Sequence, residues 1–170
     1  MLALAAQVAI SNPRATHTVA PPDDVLMCGS LQIHRQFQHA IEHCNAALSA
    51  NPNNADTLSN RGSANLALDC LEQVLTDFGQ AIDLRPDDAS SYFNRGLAHA
   101  AAEQHERAVA DYTQALELMP TLAIAHNNWG LAYEKLGDRD KAIADFRAAF
   151  AMAPNLKMIE NNLRRLGIAP

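Results

Sequence analysis

The sequence of 170 residues repeats itself at an interval of 34 residues. The clearest markers of this interval are four prolines, which are Pro52, Pro86, Pro120 and Pro154. The period is that of a helix–turn–helix unit that stacks on its own copies to form a solenoid. A solenoid presents an extended concave surface instead of a single deep cleft. The period therefore predicts an all-α chain that holds another molecule and does not transform one.

Other positions keep the register of the prolines. A glycine follows each of the first three prolines by ten residues, at Gly62, Gly96 and Gly130. Eight residues before the prolines stand Cys44, Phe78, Tyr112 and Phe146, and twelve before them stand Ala40, Val74, Ala108 and Ala142. We expect the glycines and the small residues to let the two helices of a unit approach closely. The aromatic rings are expected to fill the space where one unit meets the next.

The repeated pattern of N-x-G, a small residue, D-F/Y-x-x-A and P resembles the tetratricopeptide repeat (TPR) family. The likeness is to its bacterial form, which carries Asn-Arg-Gly in the first helix, and it covers roughly residues 22–156. It implies a right-handed α-solenoid of about four helix–turn–helix units and a capping helix. The expected units are 23–52, 55–86, 89–120 and 123–154, and the capping helix is expected near 156–167. The expected helix pairs are 24–34 with 36–50, 54–68 with 71–84, 88–102 with 105–118, and 122–136 with 139–152.

Polar pairs follow two of the prolines, at Asn53-Asn54 and Asp87-Asp88. Asn and Asp side chains accept hydrogen bonds from the free N–H groups at the start of a helix. The acidic pair also suggests a metal site, but the same slot holds two asparagines one repeat earlier. We therefore interpret both pairs as helix N-caps.

An aspartate recurs in the second helix of units 2 to 4, at Asp77, Asp111 and Asp145. Arg61 and Arg95 occupy one position in the first helices of units 2 and 3, and Trp129 occupies the equivalent position in unit 4. We expect charge-assisted Arg–Asp bridges between helices, with one aspartate left without an arginine. No phosphate-binding loop, metal-protease motif or nucleophile elbow is present. The sequence thus predicts neither an enzyme nor a cofactor.

Residues 1–22 do not share the repeat. Met1 to Ile10 is an apolar run interrupted by Gln7, and a linker-like stretch with three prolines follows it. Ten residues cannot span a bilayer, but they match the hydrophobic part of a secretory signal. The positive charge that begins such a signal is missing, so either the start codon lies upstream or the run is a frayed helix. We expect a periplasmic or secreted protein, with a cytoplasmic one as the alternative.

The resemblance also extends to the cysteines. Cys28 takes the glycine position of the first unit and Cys44 takes the aromatic position, and both positions face the space between the two helices of a TPR unit. Exported bacterial TPR proteins often carry such a pair in their first unit, which implies a Cys28–Cys44 disulfide. Two buried free thiols are the alternative. Cys70, in the turn of unit 2, is left over as a free thiol.

Three histidines at the start of the second helix suggest a metal site. His39 and His43 stand four residues apart in the second helix of unit 1, and His34 lies in the turn before that helix. Two histidines at this spacing can bind one ion, but a zinc site needs a third ligand. The main prediction therefore contains no metal. A ligand- or metal-binding accessory protein of the cell envelope is the alternative function.

Charge excludes one class of partner. The chain carries a net charge of −6, with four basic and eleven acidic residues between 52 and 119, and seven basic and five acidic residues from 120 onward. A nucleic-acid surface needs clustered Lys and Arg on one face, which this pattern does not offer. The expected partner is a protein or a peptide.

The TPR resemblance implies which residues line the concave groove. These are Ser59, Ser63, Leu66, Phe93, Leu97, Ile124, Asn127 and Leu131. TPR domains that hold chaperone C-termini place Lys and Arg at positions where this chain has Asp, Ser, Ile, Phe or Asn, so that activity is not expected. Phe93 is the expected anchor for an apolar side chain of a bound peptide. The N-terminal tail or a second copy of the chain, in a homo-oligomer, is the alternative occupant.

Overall fold

The computed structural model describes residues 22–33 and 36–169, except for the side chains of residues 22, 23 and 30–33. These segments form helices joined by short turns and contain no strand. The helices are α1 (Pro22–Ile33), α2 (Phe37–Ala50), α3 (Ala55–Ala67), α4 (Leu71–Leu84), α5 (Ala89–Ala101), α6 (His105–Leu118), α7 (Ala123–Lys135), α8 (Arg139–Met152) and α9 (Lys157–Arg165). The predicted bounds hold to within two residues in α1 to α8. The apolar run of residues 1–10 and His34 lie outside the described residues.

The helices stack as four consecutive pairs that are followed by α9. Each helix packs on the next one along the chain, which makes one continuous array. The first helices of successive pairs also contact one another, from α1 to α3, α5 and α7, whereas the second helices make no comparable contact within the described residues. Because the first helices approach more closely, the array curves with these helices on its concave side. The all-α solenoid that the sequence predicts is confirmed.

A glycine on the first helix faces an aromatic ring on the second helix in units 2 to 4. A Cβ atom at Gly96 would lie 2.7 Å from the Tyr112 ring, and at Gly62 or Gly130 it would lie 2.9 Å from a phenylalanine ring. These distances are shorter than van der Waals contact, so no side chain fits at the glycine position. The rings of Phe78, Tyr112 and Phe146 are almost completely buried, as are Ala108 and Ala142 one turn earlier.

Unit 1 makes the same contact with a covalent bond. Cys28 and Cys44 form a disulfide with Cα atoms 5.0 Å apart and a sequence separation of 16. The glycine–aromatic pairs of the other units have this same separation, so the disulfide occupies the equivalent place between α1 and α2. Both cysteines are fully buried. The cysteine pairing that the resemblance implies is confirmed.

The capping helix α9 continues the repeat register. Ile159, Leu163 and Leu166 bury one side of it, and the latter two pack in a cluster with Phe146 and Ala142. Arg164 stands 34 residues after Gly130, at the position where the first helices of units 2 to 4 have a glycine. It is exposed and pairs with Glu160. Helix α9 therefore differs from the first helices of units 2 to 4 at this position.

Helix starts and turns follow local rules. Asn54 Oδ1 accepts from the Thr57 backbone N–H at 3.0 Å, and Asp88 Oδ1 accepts from that of Ser90 at 3.1 Å, which confirms both predicted N-caps. The turn inside unit 4 contains Gly137 at φ +83°. Asp69 and Glu103 take the same left-handed conformation in units 2 and 3, at φ +59°. The turns therefore keep one geometry even where the sequence has no glycine.

We predict that Gly96→Ala lowers the free energy of unfolding by about 1–3 kcal/mol, because the new methyl group overlaps the buried Tyr112 ring. Gly79→Ala is the matched control. Gly79 lies inside α4, and a Cβ there meets nothing within 4 Å. It should stabilise the protein by about 0.5–1 kcal/mol through helix propensity. Urea unfolding followed by circular dichroism measures both variants, and equal effects would contradict the proposed contact.

Candidate functional site

The concave side of the array is the candidate binding surface. We call it the inner surface and define it as the exposed sides of the first helices, which are α1, α3, α5 and α7, together with α9. The side chains of this surface on α3 are small and polar. The Ser59 and Ser91 hydroxyls are 3.0 Å apart, and the Ser63 hydroxyl donates to the Ser59 carbonyl oxygen at 2.8 Å. The Ser59–Ser91 hydrogen bond links α3 to α5, and all three hydroxyl groups already have partners.

The predicted apolar groove residues on α3 and α5 are more buried than the sequence suggests. The Phe93 ring lies 6.0 Å from the Tyr112 ring and packs in the cluster of Ala108 and Ala132. Leu97 contacts the same cluster, and Leu66 packs in a separate cluster against Phe78 and its neighbours. Phe93 is therefore a half-buried packing residue more than an exposed anchor.

Asn127 is a correction to the predicted groove. Its side chain is fully buried, and its Oδ1 accepts a hydrogen bond from Asn162 Nδ2 at 2.8 Å. Helix α9 covers this position, so the inner surface of unit 4 is narrower than the repeat register predicts. Ile124, one turn earlier on α7, stays exposed at 43%.

A hollow opens on the inner surface between units 3 and 4. It has a volume of about 180 Å³ and is mainly apolar. We call it the inner hollow; its lining residues are Leu97, Ala100, His105, Tyr112, Asn128, Leu131, Ala132 and Lys135. Two predicted groove residues, Leu97 and Leu131, thus meet in one place. The sequence did not single out His105 for this site.

The repeat explains why the hollow is found at this junction. One unit earlier, the places of Ala100 and His105 are taken by Leu66 and Leu71. Both leucines pack against Phe78 and its buried neighbours. At the unit 3–4 junction Ala100 is thus smaller than its counterpart Leu66, and the polar His105 replaces the apolar Leu71. Alignment of the repeats at these two positions is the signal that predicts the hollow.

Two further hollows lie away from the inner surface. One, of about 310 Å³, is lined by Pro52, Asn53, Leu58, Gln80, Asp83 and Leu84, next to the turn between units 1 and 2. The other, of about 330 Å³, is lined by Gln36, Phe37, Gln38, His39 and Leu68. Both lie at helix ends and turns, and neither includes a residue of α5 or α7. They do not extend the inner surface.

The recurring acidic residues are structural partners of arginines. Arg61 Nη2 lies 2.6 Å from Asp77 Oδ1, and Arg95 Nη2 lies 2.7 Å from Asp111 Oδ1. Each arginine also donates through Nε, so the bridges are bidentate. Both aspartates are almost completely buried, which makes such pairing necessary. The predicted interhelical bridges are confirmed.

The end units use histidine for the same purpose. His126 Nδ1 lies 3.3 Å from Asp145 Oδ1 in unit 4, and His43 Nδ1 lies 2.7 Å from Asp24 Oδ1 in unit 1. Asp145 lacks an arginine, as predicted, and its histidine partner does not follow from the repeated pattern. Asp24 and His126 occupy equivalent positions on first helices, and His43 and Asp145 occupy equivalent positions on second helices. The histidine is thus on the second helix in unit 1 and on the first helix in unit 4. Burial raises the pKa of Asp145, and the hydrogen bond with His126 opposes that rise.

The histidines that the structure describes do not assemble a metal site. His43 is engaged with Asp24, and His39 is exposed. Within residues 22–33 and 36–169, no three His, Cys, Asp or Glu side chains come together in a way that could hold a metal ion. The metal-binding alternative gains no support from this part of the chain. None of the helices in the same residues is long and apolar enough to cross a bilayer.

Family comparisons agree with the stacked helix pairs. The model described as TPR repeat matches residues 100–137, and the model described as Tetratricopeptide repeat matches residues 123–156. The chain contains tetratricopeptide repeats. Among proteins with curated descriptions, no match is found. The TPR fold suggests a protein–protein interaction scaffold and implies protein partners, and TPR proteins generally lack enzymatic activity.

Solved structures show the same solenoid. MamA is 22% identical, with a TM-score of 0.75 over 83% of this chain and 85% of that one. TTC0263, a thermophilic TPR protein in Thermus thermophilus, is 21% identical, with a TM-score of 0.71 over 85% of this chain and 80% of that one. The Arabidopsis OM64 TPR domain is 26% identical, with a TM-score of 0.65 over 66% of this chain and 93% of that domain. These likenesses support the fold of the TPR array.

We predict that acid stabilises unit 4 through Asp145. Its native pKa is raised above the ordinary value of 3.8, so the native state binds more protons than the unfolded state between the two pKa values. The contribution of this carboxyl to stability therefore falls as pH rises through that window. Asp145→Asn does not titrate, so its stability relative to the wild type should increase as the pH rises from the ordinary carboxyl value of 3.8 through the native pKa of Asp145.

Trp129, the single tryptophan of the chain, lies in unit 4 with its ring 6.0 Å from that of His126. Its fluorescence during urea unfolding reports the stability of this unit at each pH. Asp140→Asn, an exposed position on the same helix as Asp145, is the control. A pH response that is the same in both variants would assign the effect to general charge and not to Asp145.

Proposed function

We propose that this TPR protein is a non-enzymatic scaffold that binds a peptide or an extended protein segment on its inner surface. The observation that carries the proposal is the inner hollow between α5 and α7, an apolar recess that opens on the concave side. Concave, mainly apolar recesses with a few polar groups are the usual binding sites of proteins. The exposed side chain of Ile124 and the half-buried Leu131 extend the apolar character along α7.

We also propose that the protein works outside the cytoplasm, in the periplasm or beyond the cell. The Cys28–Cys44 disulfide supports this location, because disulfides persist in oxidising compartments and are rare in the cytosol. The apolar run at residues 1–10 is consistent with a secretory signal. The partner in this proposal is a protein of the cell envelope or one that passes through it.

Bulky side chains on the inner surface should abolish peptide binding. Ala67 and Ala101 are exposed at the C-terminal ends of α3 and α5, so Ala67→Tyr with Ala101→Tyr narrows the inner surface without disturbing the core. The matched control places the same change on the opposite layer, with Ala110→Tyr and Ala144→Tyr on α6 and α8, where both alanines are exposed. The probe is a display library of random twelve-residue peptides.

We expect the wild type and the control to enrich the same peptides, and the inner-surface variant to enrich none of them. Circular dichroism checks that the three proteins have equal helicity. Loss of enrichment in the control alone would move the binding site to the outer layer of helices.

The location can be tested by the intact mass of the protein isolated from its native host, after denaturation and alkylation. Cys70 is the free cysteine and is partly exposed, whereas Cys28 and Cys44 are bonded to each other. We expect one alkylated cysteine and a shortened N-terminus. Three alkylated cysteines on a chain that begins at Met1 would place the protein in a reducing compartment and contradict the proposal.

A further inference from the structure

We infer that the inner hollow receives a large apolar side chain of the partner and that Lys135 pairs with an acidic residue beside it. The recognised element is thus an aliphatic or aromatic residue within two positions of an Asp or a Glu. This inference rests on the proposed function, and it names both the place of the anchor and the chemistry of the partner segment.

The size of the inner hollow limits its occupant to one side chain. Its volume of about 180 Å³ lies below the range of roughly 300–1,000 Å³ that holds small-molecule ligands. The walls come from Leu97, Leu131 and the methyl groups of Ala100 and Ala132. A recess of this size and character fits the side chain of a Leu, Ile, Met or Phe residue.

The polar groups of the inner hollow favour a negative charge next to the anchor. Lys135 is exposed at its rim, and no Asp or Glu lines it. Glu134 attracts the neighbouring Lys135, but both of its carboxylate oxygens accept hydrogen bonds from Arg165. The Nδ1 atom of His105 is buried without a hydrogen-bond partner among the described residues, and Asn128 adds an amide. A carboxylate is the group that a lysine on such a rim recognises best.

Charge also argues against the N-terminal tail as the occupant. Residues 1–10 supply apolar side chains but contain no Asp or Glu, so they cannot place an acid at Lys135. A partner segment with both features fits better.

The test uses one variant that closes the inner hollow and one that reverses its charge. Ala100→Leu with His105→Leu gives the unit 3–4 junction the two leucines that already fill the unit 2–3 junction. Because it copies an existing packing arrangement, this variant is expected to fold and to be more stable than the wild type. Lys135→Glu changes an exposed side chain and leaves the core intact. Arg147→Glu, exposed on α8 in the outer layer, is the control for charge.

The full-length oxidised protein and these variants select peptides from a library of random twelve-residue sequences, and the affinities of the enriched peptides are measured by fluorescence anisotropy. We expect the wild type to enrich peptides with a large apolar residue within two positions of Asp or Glu. The closed variant should bind them about a hundredfold more weakly. Lys135→Glu should bind them about tenfold more weakly and enrich Lys or Arg in place of the acid. Arg147→Glu should match the wild type.

Each other result overturns the inference in a recognisable way. The enriched peptides could bind the closed and charge-reversed variants as tightly as they bind the wild type, and fail to bind the variant with Ala67→Tyr and Ala101→Tyr. That result would support the proposed function but show that the inner hollow is not the binding site. Enrichment by the wild type of apolar peptides without an acid would exclude the role of Lys135. No enrichment by the wild type would count against the proposed function as well. A wild-type dimer that the closed variant converts to a monomer, measured by light scattering, would make a second copy the occupant.

Discussion

The close contact between the two helices of each unit is the constraint on which the rest of the structure depends. In units 2 to 4 the contact needs a position without a side chain on the first helix and an aromatic ring on the second, as at Gly96 and Tyr112. Unit 1 replaces this pair with the disulfide of Cys28 and Cys44 at the same spacing. A ring and a disulfide thus perform one task, since each holds two helices at short distance. This contact allows a unit of two short helices to stack and present its first helix to the concave side.

Burial of charge adds a second requirement. The position on the second helix that holds Asp77 and Asp111 is buried, so each carboxylate needs a partner from the first helix of its unit. The inner units use arginine, whose forked geometry makes two hydrogen bonds. The end units use a histidine and an aspartate, with the histidine on α2 in unit 1 and on α7 in unit 4.

Most of the fold could be predicted from the sequence because a repeated pattern reports packing at every unit. The helix bounds and the Arg–Asp bridges follow from positions that recur every 34 residues. The candidate site could be predicted only in part, because it depends on where the repeats differ. Asn127 occupies a groove position in the register, yet α9 buries it, and the register alone does not reveal that contact. The partnership of His126 with Asp145 was missed for a similar reason, since it replaces a pattern that holds in only two units.

The inner hollow shows how such a difference points to function. Leu66 and Leu71 pack the junction between units 2 and 3, so the same backbone can be filled with large apolar side chains. Ala100 and His105 leave the next junction open, at a cost in buried apolar area and with an imidazole nitrogen that has no partner among the described residues. A repeat protein that already contains the stabilising alternative has no structural need for this opening. Local departures from good packing are expected where a site has to bind something else. The opening at one junction, with a lysine on its rim, is therefore best explained by the side chain of a partner that completes it.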